Sequence, residues 1–555
     1  MTSEAPEEEF SIHWIRDVTE EVLKRNAAVY LISTGKSPSG SIHIGIMREI
    51  IIADVIKREL LRTGNDARTM FVIDDYDPVR SFPASVSLNL EDWVGIPYSD
   101  VVDEFGCCGS FGAHYANELI ETFDAFGVNP DIIWTSKLYE TPEMQDAVRI
   151  CLKHTEVIRD IMIEYVANDF NEEQREQYVE SMKNWYPASV VCPKCGHLQA
   201  GAKGAISPNR ITSYNPESDM VSFECHACGH SDDVSLDKLR VKLVWRVDWP
   251  TKWHVLNVTC EPAGKDHSVK GGSYDTGLEV SRRVFDWPGP VKVPYEWVRI
   301  GGRDMSTSEG IVFTPRVWLS IAPPELYRYL LLKTDLVRAI NIQPERIPDM
   351  IDEYERFERV YYGVEDANET RRELAQLVYP LCLSGDLSPK YIPKLPFKFA
   401  IVISQLADIL GHEATLEKCE EALKKQHGLE EVPSESKALI EPRLERALHW
   451  VREYGSERDR IEITEEVPQD VLSTLTDPDR EFLSKVVELL RRKDLDEDSL
   501  QSAIFEAARG VGIKDRRAFV VIYRILISRK SGPRLAPFIS TLGRGWVADR
   551  IASVL

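Results

Sequence analysis

The chain has 555 residues, 43% of them hydrophobic and 28% charged, the proportions of a globular protein long enough for three or four domains with their own cores. No run of 18 apolar residues occurs and the opening residues, Met1 to Glu7, are acid-rich, so neither a membrane span nor a secretory signal is expected and a cytoplasmic location is. A net charge of −23 argues against indiscriminate nucleic-acid binding while leaving room for a local basic face.

Residues 8–28 carry the pattern of an amphipathic helix, and the apolar run Val29–Ser33 after them reads as a strand. A turn-rich loop, Thr34–Gly45, follows; a helical pattern then runs to Arg62 and stops at Thr63-Gly64-Asn65. A second apolar run, Thr69–Ile73, ends on Asp74-Asp75. Strand, loop, helix, strand is a βαβ unit. Its loop brings His43 and glycines to a helix N-terminus, where free N–H groups and the helix dipole suit phosphate. The spacing matches neither a dinucleotide fingerprint nor a P-loop. A histidine at a helix start also serves as a plain cap or a packed ring; the preceding strand, the Pro38-Ser39-Gly40 turn and a matching loop downstream favour a nucleotide site. Asp74, Asp75 and Asp77 close the second strand, a position that either faces a ligand crevice or simply begins a turn.

From about 86 to 240 the α/β pattern breaks. Pro97, Gly106 and Gly109 mark loops, and helical patterns occupy 112–127 and 142–184. Two knuckles follow, Cys192-Pro193-Lys194-Cys195-Gly196 and Cys225-His226-Ala227-Cys228-Gly229. Paired CxxC turns converge four thiolates on one ion, and a closed thiolate set suits structural zinc. The flanking His197, His226 and His230 are not needed as ligands, and Cys107, Cys108, Cys151, Cys260, Cys382 and Cys419 read as buried small hydrophobes. The α/β character returns at Val241–Val244 and runs through Gly264-Lys265-Asp266-His267, a glycine-led helix at 271–285 and a strand at Trp297–Ile300. A loop rich in glycine and hydroxyls, Gly301–Gly310, comes next. From 323 onward only helical periods stand out, among them Leu326–Leu332, Met350–Val360, Arg371–Leu377, Thr415–Lys425 and Glu481–Arg492. Lys514 to Arg550 holds nine basic residues against two acidic ones, which favours contact with RNA phosphates over a merely solvated face.

Pro38-Ser39-Gly40-Ser41-Ile42-His43-Ile44-Gly45 resembles the ATP-binding HIGH signature of class I aminoacyl-tRNA synthetases, and the 301–310 loop, with Met305-Ser306-Thr307-Ser308, resembles their mobile KMSKS loop. Trp245–Trp253, Glu261–His267 and Gly271–Asp275 are similar to second-half motifs of the class I lysyl-tRNA synthetases, the mainly archaeal form. Asp352–Arg359 and Gly532–Ile539 resemble the C-terminal region of that family. The resemblance, extending from about 11 to 555, implies an α/β fold: a Rossmann-like parallel sheet split by a zinc-binding insertion and followed by an all-α C-terminal region. The implied boundaries are a first catalytic half over 1–85, the insertion over 86–240, a second catalytic half over 241–322, and a helical stem and anticodon-binding region over 323–555.

The activity implied is lysine–tRNA ligation, with ATP and Mg²⁺ converting L-lysine to lysyl-adenylate and tRNA(Lys) accepting the lysyl group. The resemblance makes His43, Gly45, Ser306 and Ser308 the catalytic residues, with Pro38, Ser39, Gly264, Asp266 and Met305 joining them around ATP. It places Gly35, Ser37, Trp245, His267 and Tyr295 around the lysine, where Trp245 and Tyr295 suit cation–π contact with the ε-ammonium, and Cys192, Cys195, Cys225 and Cys228 around Zn²⁺.

The chain departs from the family pattern at Ile46, where a polar residue is usual, and in the second loop, where Asp304, Thr307 and Glu309 leave two acids and no lysine. Like charges 4 Å apart oppose each other by about 4 kcal/mol at an effective dielectric of 20, so acids aimed at phosphate would hurt. Either those side chains point away while Mg²⁺, backbone N–H groups and Lys265 or Arg303 supply the positive field, or activity is reduced. The alternatives that follow are a catalytically impaired tRNA-binding paralogue and a class I synthetase for another amino acid. A nucleotidylyltransferase of similar fold is disfavoured by the long helical, basic-ended C-terminal region.

Overall fold

The structure, a computed structural model, describes residues 13–167, 170–201, 206–305, 313–461, 463–464, 466–492, 494–532 and 534–555. The chain divides into two compact units: one formed by Met1–Leu319, Pro323–Gln343 and Glu365–Leu387, the other by Ser320–Ala322, Pro344–Val364 and Ser388–Leu555.

The first unit is built on a parallel sheet in the order Val291–Tyr295, Cys260–Gly264, Tyr30–Lys36, Ala67–Ile73, Asp131–Trp134. In Tyr30–Lys36 and Ala67–Ile73 the apolar residues Ile32, Phe71 and Ile73 are fully buried. The helix Ile46–Arg62 packs on three of these strands, and its Ile51, Val55 and Leu60 are fully buried. From Tyr30–Lys36 the chain first builds outward through Ala67–Ile73 and Asp131–Trp134, then returns to pair Cys260–Gly264 on the other side. That reversal opens a crevice at the carboxyl ends of the two central strands, the place where open α/β sheets bind ligands.

Two sheet strands carry too little pattern to be read from sequence. Asp131–Trp134 has four residues, and Val291–Tyr295 contains Pro294, tolerated because the strand lies at the sheet edge. Two expected strands sit elsewhere. Val241–Leu243 pairs antiparallel with Ala188–Val190 and so completes a second, antiparallel sheet with Arg210–Asn215, Met220–Glu224 and Ser231–Ser235. Val298–Ile300 pairs with Arg303–Asp304 and with Ile340–Ile342, a three-residue strand in a stretch where only helices are expected. Segments this short present no period to detect.

The second unit is helical in its regular structure among the described residues. Its last five helices, Asp477–Arg491, Glu497–Gly510, Asp515–Ile527, Leu535–Leu542 and Arg544–Ala552, enclose a core that includes Phe482, Val486, Ile504, Ile522 and Phe538. Thr476 and Asp479 form a reciprocal capping box at the first of them, while Arg517 reaches Asp479 at 2.6 Å and ties in the third.

Candidate active site

The crevice is a cavity of about 380 Å³, a size that suits a small-molecule ligand. Of the residues singled out from sequence, Gly35, His43, Gly45, Trp245, Gly264, Asp266, His267, Tyr295 and Met305 line it. Ser37, Pro38 and Ser39 do not: Ser37 donates to Asp77 at 2.8 Å and borders a neighbouring cavity, Pro38 is buried, and Ser39 closes the turn through its N–H on the Ser37 carbonyl. Ser306 and Ser308 lie outside the described residues, as do Thr307 and Glu309.

The His43 turn is held from several sides. Gly45 N–H donates to His43 Nδ1 at 3.2 Å, which leaves Nε2 as the protonated nitrogen. Burial, reinforced by the charge of Lys36, pushes the imidazole down to about 4, so at neutral pH the ring is an uncharged donor. A Cβ on Gly45 would stand 2.8 Å from His43 Nδ1 and 3.3 Å from Met305 Cε. Glycine is therefore required there, and Met305 lies directly against the turn. Phe313 accepts from the Ile44 N–H at 2.7 Å, and Tyr327 donates to the Ile44 carbonyl. Both described ends of the second loop, Met305 and Phe313, thus meet the His43 turn despite the long sequence separation.

Aromatic rings form one wall. Trp245 stacks on Trp249 with centroids 4.9 Å apart, and His267 sits 5.7 Å from Trp245, its Nδ1 2.9 Å from Ser273 Oγ. Trp245 stays 40% exposed, so it faces the cavity mouth and is not core packing. Beside this wall are two buried carboxylates that the sequence reading missed. Glu49 accepts from Tyr295 Oη and from the Gly35 N–H at 3.4 Å; Glu261 accepts the indole N–H groups of Trp249 and Trp253 at 2.6 and 2.7 Å. Burial pushes each up to about 7. Glu49 escapes notice because an acid in the first turn of a helix usually just complements the dipole.

Beneath the cavity runs a buried ion network. Lys252 pairs with Asp74 and, at 3.0 Å, with Asp248; Lys242 reaches Asp248 at 2.6 Å and Asp77 at 3.4 Å. Asp74 thus both borders the crevice and is neutralised there, while Asp75 is taken up by the Ser136 N–H and hydroxyl. At the second loop, Asp304 pairs with Arg299 at 2.7 Å and Lys265 with Glu296 at 2.8 Å.

The two cysteine knuckles meet. Neighbouring sulfurs are 3.6 to 3.8 Å apart, and Gly196 and Gly229 turn the chain behind them at φ +76° and +71°, values that require glycine. Zn–S bonds of about 2.3 Å in a tetrahedron imply sulfur separations of about 3.8 Å, so the quartet fits zinc. Cys107 and Cys108 are not buried hydrophobes. Cys107 is exposed, Cys108 half-buried, and both join Asp103 and His114 in a second group of donors within 4.8 Å of one another. Asp103 is aimed there by three backbone N–H groups, those of Phe105, Cys107 and Cys108.

In the helical unit a further cavity of about 710 Å³ combines rings and cations: Phe505, Phe519 and Tyr523 with Arg516, Lys530 and Arg534. Phe519 lies parallel to Tyr523 and edge-on to Phe505. A Cβ on Gly532 would stand 2.6 Å from the Tyr523 ring, so glycine is needed for the chain to pass over it.

Residues 12–382 match the family described as tRNA synthetases class I (K). The chain is 31% identical over 547 residues to a lysine–tRNA ligase of Methanocaldococcus jannaschii, covering 97% of this chain and 99% of that protein. It is 31% identical over 551 residues to one of Methanosphaera stadtmanae, with the same coverage. Among solved structures, a glutamate tRNA ligase of Elizabethkingia meningosepticum aligns with a TM-score of 0.41 at 12% identity, over 95% of this chain and 99% of that one. The protein is a class I aminoacyl-tRNA synthetase. Within that class, the chain belongs to the family of tRNA synthetases class I (K).

Proposed function

We propose that the chain is a lysine–tRNA ligase: it activates L-lysine with ATP to lysyl-adenylate, releases pyrophosphate, and transfers the lysyl group to tRNA(Lys). The observation that carries this reading is one cavity with two chemically opposite ends. A neutral histidine donor at a helix start suits phosphate, and a buried carboxylate beside aromatic rings suits an ammonium. The near full-length similarity to lysine–tRNA ligases supports the same substrate.

No protein nucleophile is needed, so catalysis rests on position and charge. In this reading His43 Nε2–H donates to the α-phosphate as charge grows on it, and Gly45 lets adenine pack on the helix. Pro38 and Ser39 shape the turn that presents His43, and Gly264, Asp266, Met305, Ser306 and Ser308 complete the ATP site, with Mg²⁺ as its counter-ion. Gly35, Trp245, His267 and Tyr295 surround the lysine, and Glu49, bridged to Tyr295, meets its ε-ammonium. The thiolates of Cys192, Cys195, Cys225 and Cys228 would hold a structural zinc, and the Asp103, Cys107, Cys108 and His114 donors fit a second ion of the same kind. The aromatic and basic cavity of the helical unit receives an unstacked base of the anticodon loop. The enzyme works in the cytoplasm, where its tRNA is.

The test is ATP–pyrophosphate exchange across a panel of amino acids, followed by aminoacylation. Exchange with lysine alone is expected. Exchange with another amino acid, or with none, overturns the reading.

A further inference from the structure

The adenylation half of the site must hold a polyanion, yet among the described residues five carboxylates line the cavity: Glu49, Asp74, Glu261, Asp266 and Asp304. Against them stand two ammonium groups, Lys36 and Lys252. Lys252 is buried and committed to Asp74 and Asp248. The second loop, Gly301–Gly310, holds one cation, Arg303, which is exposed and does not line the cavity, and Lys265 is held by Glu296.

Lys36 is different. It ends the central strand at the carboxyl edge of the sheet, where the Asp74 N–H fixes its carbonyl at 3.0 Å. Gly35 before it is pressed so closely on the next strand that a Cβ would stand 2.9 Å from the Val72 carbonyl, which leaves the backbone little freedom. The side chain is half-buried, and among the described residues its ammonium has no hydrogen bond or ion pair. Its charge acts on His43, Glu49 and His267, which line the same cavity. A half-buried cation at the cavity wall, with no partner among the described residues, is available to an anion that enters.

We propose that Lys36 is the phosphate-binding cation of this enzyme: its ammonium holds the ATP phosphates and stabilises the charge that develops when lysine is adenylated. In that step a carboxylate oxygen of lysine forms a bond to the α-phosphorus. The bond from that phosphorus to the α–β bridging oxygen breaks, and its electron pair leaves with pyrophosphate. No proton moves between protein and substrate. Asp304 does not oppose the leaving group, because Arg299 neutralises it. This inference rests on the ligase reading for the identity of the reaction but not for the binding of ATP.

The experiment compares the full-length enzyme with Lys36→Met, Lys36→Arg, and the double variant Lys36→Met with Asp304→Lys. ATP binding is measured by calorimetry, and lysine-dependent exchange is measured over both substrates. Lys36→Met is expected to weaken ATP binding about 10-fold and to lower kcat/KM for ATP by about 100-fold, the effect of removing one preorganised donor. The KM for lysine should hold, Lys36→Arg should stay within about 5-fold of wild type, and moving the charge to position 304 should restore part of the loss. Unchanged ATP binding by Lys36→Met overturns the proposal. So does a defect confined to the KM for lysine, which would place the ammonium on the amino-acid carboxylate. If wild type exchanges with no amino acid, the ligase reading fails, while the ATP titration still decides Lys36.

Discussion

At the scale of single residues, the site sets neutral and charged groups against each other by burial. His43 stays neutral because a buried imidazolium beside Lys36 is disfavoured, and Glu49 holds its proton to about pH 7 because its carboxylate is removed from water. Only the ionised form of Glu49 offers a counter-charge to an ammonium. As the pH rises through about 7 the site charges, so the KM for lysine should fall between pH 6 and 8, with proton release on lysine binding below 7. A flat profile would put the ε-ammonium elsewhere. Glu49→Gln keeps the shape and the bond from Tyr295 but removes the charge. It should raise the KM for lysine roughly 30-fold, about 2 kcal/mol, and remove the pH dependence while leaving the KM for ATP nearly unchanged. Steady-state exchange kinetics measure both.

At the scale of elements, short segments are organised by metal-type donor groups and by rings. The strands around the knuckles, Ala188–Val190 and Arg210–Asn215, are only three and six residues long, and the thiolate quartet links the turn after one to the turn after Met220–Glu224. Metal analysis should find two zinc ions per chain, one for each donor group, and chelation should lower the unfolding temperature by several degrees. Cys195→Ser should lose one ion and His114→Ala the other; a metal-free protein of unchanged stability would remove zinc from the account. In the helical unit, Phe519 and Tyr523 are one turn apart on the helix Asp515–Ile527, which sets their rings on the same face. Phe519→Ala should raise the KM for tRNA in aminoacylation roughly 10-fold, the worth of one stacked base, without altering lysine-dependent exchange.

At the scale of the whole molecule, a ligase of net charge −23 would have to attract a polyanion twice, as ATP and as tRNA, and in the function proposed above locally placed cations do so. The KM for tRNA should therefore rise steeply between 50 and 200 mM salt, through counterion release at Arg516, Lys530 and their neighbours. The exchange reaction, whose cation lies in a half-enclosed cavity, should change much less over the same range. Equal salt sensitivity in the two assays would argue against the basic C-terminal segment as a tRNA contact.

Much of this protein could be read before any coordinates. The strands at Val29–Ser33 and Thr69–Ile73, the His43 turn between them, and the paired cysteine knuckles are legible because each is local: an apolar run, a helix start, a fixed ligand spacing. The long helices are legible for the same reason, since their period repeats over several turns. The strands Asp131–Trp134 and Val291–Tyr295 are not, being too short or too irregular to show alternation. What only the tertiary structure decided is which charges are spoken for. Arg299 claims Asp304, Asp74 and Asp248 claim Lys252, burial pushes Glu49 up to about 7, and Lys36 has no partner among the described residues. Charge pairing and desolvation are set by distances between residues far apart in the chain, and no spacing along a sequence encodes them.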